Sequence, residues 1–211
     1  MIPAREEMYK ALEERHGKDL QEKLQAASVA VCGLGGLGSN VAIHLARAGV
    51  GRLHLIDFDS VDLSNLNRQQ YFPDQLGQPK AQALYDTIKR IAPYCDLTFQ
   101  SVKLTEDNIP TLLSPFDIIA ECFDKADQKA MLVNCVLEKM NDKYLVAASG
   151  MAGLSSANEI RTRKISKRFY MCGDGVNGLE NGLGLISARV AVCASHEAVM
   201  ILRIIAGEYG P

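Results

Sequence analysis

The chain has 211 residues, of which 47% are hydrophobic and 23% charged, and its formal net charge is −2. This composition is typical of a folded globular domain and excludes an intrinsically disordered chain. The slight acidic balance also excludes the basic excess with which proteins neutralise phosphates, so we expect no nucleic-acid partner.

Neither a membrane span nor an export signal is indicated. No apolar run approaches the roughly 18 residues that a bilayer-spanning helix needs. The first residues, MIPAREEMYK, lack a basic region followed by an apolar core, which a signal peptide would have. We therefore expect a cytoplasmic protein that makes no contact with a membrane.

The pattern of apolar and polar residues predicts strands and helices that alternate along the chain. It begins with a charged helix over Glu6 to Ala26, a strand over Ser28 to Cys32, a glycine-rich turn and a helix over Ser39 to Ala48. The elements predicted next are a strand over Arg52 to Asp57, a helix over Lys80 to Ile91, a strand over Leu97 to Val102, a short helix over Asp107 to Leu113, a strand over Ile118 to Glu121, a helix over Asp127 to Met140 and a strand over Tyr144 to Ala148.

The last part of the chain departs from this alternation. Asn158 to Arg163 and Arg168 to Met171 are predicted to form a hairpin at the edge of the sheet, and Gly173 to Gly184 a glycine-rich loop. Ser187 to Ile205 is strongly apolar and predicts a long helix, buried on the sheet or at a subunit interface.

Alternating strands and helices favour a mostly parallel sheet with helices on both faces. We therefore predict an α/β fold, Rossmann-like and doubly wound, with an added antiparallel edge and a long C-terminal helix. A single domain is expected over 1–211. It comprises a helical segment (1–27), a nucleotide-binding core (28–150) and a final part with the edge strands, a short crossover loop and the last helix (151–211).

A glycine motif follows the first predicted strand. Gly33, Gly35 and Gly38 satisfy GxGxxG between a strand and a helix, where backbone N–H groups can approach a phosphate or a ribose. Asp57 ends the second strand, where a carboxylate accepts hydrogen bonds from ribose hydroxyls. The pair predicts a nucleotide site, although it does not say which nucleotide, and a tight strand–helix turn without a ligand is the alternative.

The loop after Asp57 carries more polar chemistry than a dinucleotide site requires. Arg68 and Lys80 are two cations at the same strand ends as the glycine turn, and such a pair suits the charge of a triphosphate. Asp124 follows the strand that ends at Glu121, and one carboxylate near phosphates is a typical Mg²⁺ ligand. Each residue alone could be a surface charge or a helix cap, but together they indicate phosphate chemistry.

Four segments carry a resemblance to a known family: GLGGLGS, IDFDSVDLSNLNRQQ, GQPKA and ECFDKAD. They resemble the adenylating domain shared by ThiF, MoeB, HesA and the ubiquitin-activating enzymes, from about Ser28 to the C-terminal helix. The SNLNRQ segment is the most specific part, and the GMAG turn over Gly150 to Gly153 also fits. The short length and the RHG segment at Arg15 are most similar to a ThiF-like subgroup of thiamine biosynthesis.

The resemblance assigns roles to individual residues. It implies that Gly36 packs against the nucleotide, that Asp57 holds the ribose, that Asn65 and Arg68 contact the phosphates and that Lys80 stabilises charge on the phosphate under attack. Asp124 helps to place Mg²⁺. The nucleotide-contacting residues predicted in full are Gly33, Gly35, Gly36, Gly38, Asp57, Asp59, Ser64, Asn65, Asn67, Arg68, Gln69, Lys80, Asp124 and Lys125, with Arg68, Lys80 and Asp124 as the catalytic ones.

The activity implied is ATP-dependent adenylation of the C-terminal carboxylate of a small ubiquitin-like sulfur carrier protein. The carrier is expected to end in Gly-Gly and to be ThiS-like, and a MoaD-like carrier of molybdopterin synthesis is the alternative. The resemblance also implies a homodimer in which an arginine of one subunit, Arg5 or Arg15, reaches the partner. An NAD(P)-dependent oxidoreductase and a non-catalytic nucleotide sensor are competing hypotheses.

Two features of longer family members are missing. The six cysteines form no CxxC pair, so a structural zinc site with four ligands is not expected. The region that carries a transfer cysteine in longer members has no cysteine between Gly173 and Gly184, and Cys172 at its edge is the remaining candidate. The four histidines lie at unrelated places and are interpreted as structural.

Overall fold

A seven-stranded sheet forms the centre of the computed structural model, which describes residues 2–178 and 183–211. The strands are β1 (Ser28–Cys32), β2 (Arg52–Ile56), β3 (Asp96–Gln100), β4 (Ile118–Glu121), β5 (Tyr144–Ala148), β6 (Arg161–Lys164) and β7 (Phe169–Gly173). Their order is β3-β2-β1-β4-β5-β7-β6, and every neighbouring pair is parallel except β6 and β7. The predicted fold class, including the antiparallel edge, is confirmed.

Helices cover both faces of this sheet. They are α1 (Arg5–His16), α2 (Lys18–Ala26), α3 (Gly36–Ala48), α4 (Lys80–Ile91), α5 (Ile109–Leu113), α6 (Ala126–Lys139) and α7 (Ser187–Ala206). The prediction of one helix from Glu6 to Ala26 is wrong, because Gly17 adopts a φ of +89° and separates α1 from α2. A residue with this φ cannot continue a right-handed helix.

The side chains of β1 show why helices pack on both faces of the sheet. All five of its residues are buried, as expected for a strand at the centre of a parallel sheet. Val29 and Val31 belong to the apolar cluster that α3, α4 and α7 complete on one face. Ala30 and Cys32 belong to the cluster that α5 and α6 complete on the other face. The alternation follows from the two-residue period of a strand.

The edge hairpin is shifted from its predicted position. β6 and β7 each begin one to three residues later than the sequence pattern indicates, with Thr162 opposite Cys172. Of the predicted loop from Gly173 to Gly184, residues 179–182 lie outside the described residues. Among residues 2–178 and 183–211, no helix combines the length and apolar character needed to cross a bilayer.

One carboxyl group is fully buried in the core. Glu197 of α7 accepts a hydrogen bond from the Cys122 thiol at 3.3 Å, and its other oxygen has no hydrogen-bond partner among the described residues. Burial, followed by the nearby Glu121 carboxylate, raises the pKa of Glu197 from 4.5 to about 8. The nearby Lys129 ammonium is itself paired with Glu121, so it offsets this effect only partly.

We expect the stability of the protein to fall as pH rises between about 4.5 and 8, because folded Glu197 keeps a proton that the unfolded chain releases in this window. Such a group contributes up to about 1.4 kcal/mol per pH unit. Glu197→Gln removes the titrating group. The free energy of unfolding of the variant minus that of the wild type should therefore be larger at pH 8 than at pH 5. Urea unfolding at both pH values measures this, with Glu138→Gln on the exposed face of α6 as the control. Equal differences at the two pH values would contradict it.

Candidate nucleotide-binding site

A cavity of about 540 Å³ opens where β1, β2, β4 and β5 end at their carboxyl sides. We call it the strand-end cavity, and its volume is within the range of small-molecule sites. Of the residues predicted to contact a nucleotide, those that line it are Gly33, Gly35, Gly36, Asp57, Asp59, Asn65, Arg68, Gln69, Lys80, Asp124 and Lys125. Gly38, Ser64 and Asn67 do not line it.

The glycines of the first turn are required for different structural reasons. Gly33 has a φ of +87°, and a Cβ at Gly38 would lie 1.8 Å from the Gly33 carbonyl oxygen, so both are required by the turn itself. A Cβ at Gly35 would meet only the Gln69 side chain, at 3.8 Å, and would otherwise point into open space. Gly35 therefore keeps room for a ligand rather than for the fold.

We therefore expect Gly35→Ala to keep its thermal unfolding midpoint within about 2 °C of the wild type and to bind ATP at least tenfold more weakly, because a methyl group takes ligand space. Gly38→Ala should instead lose stability, because its Cβ cannot fit beside the Gly33 carbonyl. Isothermal titration and thermal unfolding of both variants measure this. Unchanged ATP affinity in a folded Gly35→Ala variant would show that the ligand does not approach this turn.

Asp57 holds the turn and faces the strand-end cavity. Its two carboxylate oxygens accept hydrogen bonds from the backbone N–H groups of Leu34 at 2.6 Å and Asp59 at 2.8 Å. Burial raises the pKa of Asp57, while these two bonds and the Lys80 charge oppose the rise. The carboxylate is thus preorganised at the end of β2, with lone pairs left for a ligand hydroxyl.

The lining of the strand-end cavity has more cations than carboxylates. The described residues that line it include three aspartates and five cationic side chains, which are Arg68, Lys80, Lys103, Lys125 and Lys129. Lys80 is the most buried of the predicted catalytic residues, with 8% of its side chain exposed, and its ammonium lies 3.2 Å from Asp59. A positive lining in a partly enclosed site attracts polyanions such as phosphates.

Two polar atoms of residues that line the strand-end cavity are buried and have no hydrogen-bond partner among the described residues: Nε of Arg68 and Oε1 of Gln69. The Arg68 guanidinium is otherwise oriented by its bonds to the Ser64 carbonyl at 3.0 Å and the Asn67 side chain at 2.8 Å. Buried polar atoms without partners are uncommon and costly. A ligand could reach these two atoms only if their side chains moved, because neither atom is accessible to solvent.

The loop after β4 is held by an ion pair that the sequence analysis missed. Lys129 of α6 lies 2.9 Å from a Glu121 carboxylate oxygen and donates to the Phe123 carbonyl at 2.9 Å. Glu121 also accepts from the Phe123 N–H. These contacts fix both ends of the turn that leads to Asp124. The sequence carries no signal for the pair, since the two residues belong to different elements.

Asp124 itself is exposed and, within the described part of the chain, has no hydrogen bond or ion pair. No three side chains of the metal-binding types converge among these residues. Mg²⁺ does not need such a cluster, because it takes one or two carboxylates together with phosphate oxygens and water. The Asp124 carboxylate, which is free to bind a ligand at the strand-end cavity, fits that ligand set.

The sequence predicts no nucleotide contact in the part of the strand-end cavity that follows β5 and β7. The segments that contain Met151, Ala152 and Asn177 line the strand-end cavity, and buried Arg189 ties them together. Arg189 pairs with Asp174 and donates to the Ser156 carbonyl at 2.8 Å. The glycine-rich sequence of this region predicts a loop, but it does not predict the arginine from α7 that organises it.

The remaining candidates lie outside this cavity. Cys172 is fully buried in β7, and burial raises the pKa of its thiol to about 12, so the group is neither accessible nor ionised at neutral pH. Arg5 stacks over Tyr9 within α1, and Arg15 lines a separate cavity. The histidines make structural contacts, for example the stacking of His54 on Phe116.

Comparison with known proteins agrees with this geometry. A family model described as "ThiF family" matches residues 9–211. The molybdopterin-synthase adenylyltransferase of Salmonella typhimurium is 32% identical over 197 residues, which cover 90% of this chain and 77% of that protein. The sulfur carrier protein adenylyltransferase of Thermus thermophilus is 38% identical over 109 residues, which cover 51% and 40%.

A solved structure of the same fold spans almost the whole chain. The E. coli tRNA N6-threonylcarbamoyladenosine dehydratase TcdA in complex with ATP superposes with a TM-score of 0.86 and covers 98% of both chains. The two sequences are 22% identical. The likeness therefore supports the fold alone.

Proposed function

The chain belongs to the ThiF family, and on that premise we propose that it is an ATP-dependent adenylyltransferase that activates the C-terminal glycine carboxylate of a small ubiquitin-like sulfur carrier protein. Two of the relatives named above are adenylyltransferases, one of molybdopterin synthase and one of a sulfur carrier protein. The observation that carries the proposal is the strand-end cavity, where the buried Lys80 and four other cationic residues line a space of nucleotide size.

In this proposal ATP binds with its adenosine end at the glycine turn. Asp57 accepts hydrogen bonds from the ribose hydroxyls, and Gly35 leaves room for the nucleotide. Asn65 and Arg68 contact the phosphates. Lys80 exchanges its contact with Asp59 for the α-phosphate, whose charge increases when the carrier carboxylate attacks. Positioned cations at the reacting phosphate are the main catalytic contribution in phosphate transfer.

The reaction needs no protein nucleophile or general base, because a C-terminal carboxylate is already ionised at neutral pH. Its oxygen forms a bond to the α-phosphorus, the bond to the bridging oxygen breaks, and pyrophosphate leaves with the electron pair. Asp124 would hold Mg²⁺, and the bound ion would supply positive charge to the phosphates. The chain contributes position and electrostatics, and no histidine that could act as a general base is among the described residues that line the strand-end cavity.

Two observations favour two different carriers. The motifs of the chain resemble those of the ThiF-like subgroup, which favours a ThiS-like carrier of thiamine biosynthesis, and we keep this as the proposal. The name of the Salmonella relative favours a MoaD-like carrier of molybdopterin synthesis as the second candidate. Both carry the same reacting group, so the choice depends on contacts outside the cavity.

Mass spectrometry of carrier adenylation distinguishes them. The chain is incubated with ATP, Mg²⁺ and either a ThiS-like or a MoaD-like carrier, and the mass of each carrier is followed. We expect one carrier to gain an AMP group and its variant without the last glycine to gain none. Adenylation of neither carrier by protein that binds ATP would contradict the proposed substrate class.

We further propose that the chain acts as a single adenylating domain within a homodimer. The exposed apolar side chains of Leu63 and Leu76 on the loop before α4, and of Val199 on α7, are surfaces that a second subunit would cover. Arg5 or Arg15 of one subunit would then approach the partner. Light scattering after size exclusion should give twice the monomer mass, and a monomeric mass at all protein concentrations would contradict this.

A further inference from the structure

A second cavity, of about 380 Å³, lies beside helix α1 at the C-terminal end of α3, whereas the glycine turn lies at the N-terminal end of α3. We call it the α1 cavity. Its walls come from α1, from the C-terminal ends of α3 and α4 and from the turn before β3. The residues are Met8, Tyr9, Ala11, Leu12, Arg15, Ala46, Arg47, Gly49, Val50, Ile91, Ala92, Pro93, Tyr94 and Cys95. None of them lines the strand-end cavity.

The α1 cavity is a groove that is open to solvent along one side. Helix α1 has no buried residue, although Met8, Tyr9 and Leu12 face the groove. Its volume of about 380 Å³ lies within the range of small-molecule sites, which begin at about 300 Å³. The Tyr94 hydroxyl donates to the Pro3 carbonyl at 2.8 Å and so holds the start of α1 over the groove.

The chemistry of the walls selects a ligand class. Most of the lining is apolar, and Tyr9 and Tyr94 contribute two aromatic rings. Arg15 and Arg47 lie on different walls, neither forms a salt bridge within the described part of the chain, and no carboxylate lines the cavity. Two unpaired guanidinium groups beside an apolar space suit a ligand with an anionic head and an aromatic body.

We propose that the α1 cavity binds an aromatic monoanion, such as an aryl carboxylate. The carboxylate pairs with Arg15 and Arg47, and the ring packs between Tyr9, Leu12 and Pro93. The bound ligand joins α1 to the ends of α3 and α4 and thereby orders the N-terminal helix. The two cavities share no residue, so the inference does not depend on the adenylation chemistry. It does assign Arg15 to the ligand, which leaves Arg5 as the arginine that would approach the partner subunit.

The test uses anilinonaphthalene sulfonate as a fluorescent probe and the full chain with saturating ATP and Mg²⁺. We expect saturable binding at one site per chain and displacement by naphthoate but not by the neutral analogue naphthylmethanol. Arg15→Gln and Arg47→Gln should each weaken binding by about tenfold or more, the effect of losing one charge-assisted contact. Ala92→Leu, which fills part of the cavity without changing charge, should weaken it as well.

Arg90→Gln is the matched control, since Arg90 lies on the last turn of α4 but does not line the α1 cavity. It should bind the probe as the wild type does. Thermal unfolding midpoints show that each variant is folded. The proposal is overturned if folded Arg15→Gln and Arg47→Gln bind normally, if naphthylmethanol competes as well as naphthoate, or if raising ATP displaces the probe. Absence of saturable probe binding also overturns the proposal. If α1 is then protected from hydrogen exchange only at protein concentrations where the chain dimerises, the cavity is a subunit contact.

Discussion

Replacing Lys80 with methionine is expected to lower carrier-dependent ATP–pyrophosphate exchange on the order of 10²–10³-fold, the usual effect of losing one preorganised group at a developing charge. The methionine keeps the length and packing of a side chain that is 8% exposed, but it removes the ammonium beside Asp59. Exchange of labelled pyrophosphate into ATP, measured with saturating carrier, gives the effect.

Arg90→Met, on the same helix and outside the strand-end cavity, serves as the control and should exchange as the wild type does. Thermal unfolding should show that Lys80→Met is folded, because the lost contact with Asp59 is a single partly exposed ion pair. Wild-type exchange by a folded Lys80→Met variant would remove Lys80 from the mechanism.

Asp124→Asn is expected to have the second largest effect, a loss of about 10²-fold at millimolar Mg²⁺, since a neutral amide is a weaker magnesium ligand than a carboxylate. Exchange should recover in part as the Mg²⁺ concentration rises, while ATP affinity without metal should stay the same. A Mg²⁺ titration of the exchange rate measures both quantities.

Asp127→Asn is matched to this change. Asp127 lies in the first turn of α6, three residues from Asp124, but it does not line the strand-end cavity. Its Mg²⁺ dependence should be that of the wild type. An Asp124→Asn variant with unchanged Mg²⁺ dependence would mean that the metal, if used, is held elsewhere.

The fold could be predicted because its signals are local. The alternation of apolar strands and amphipathic helices gave β1, α4, β4 and β5 at the bounds that the structure shows. The break at Gly17 was missed because a glycine within a charged helical pattern is often tolerated, and the local sequence does not reveal its φ of +89°. The edge hairpin was displaced because its register depends on pairing with β5 and not on its own sequence.

The candidate site was predictable where its residues follow strand ends. Asp57, Lys80 and Asp124 lie at one edge because parallel strands place their carboxyl ends together. The ion pair of Glu121 and Lys129 could not be found in this way, and neither could the buried Arg189. Each joins elements that are distant in sequence or face each other only after folding. The catalytic roles themselves stay predictions.

The measurement that tests the central claim most directly is pyrophosphate exchange in the presence and absence of a carrier. The protein is assayed with ATP, Mg²⁺ and labelled pyrophosphate, first alone, then with an intact carrier that ends in Gly-Gly, and then with the same carrier lacking its last glycine. The proposed function predicts exchange only with the intact carrier. Exchange at the same rate without any carrier, or with the shortened carrier, would contradict it.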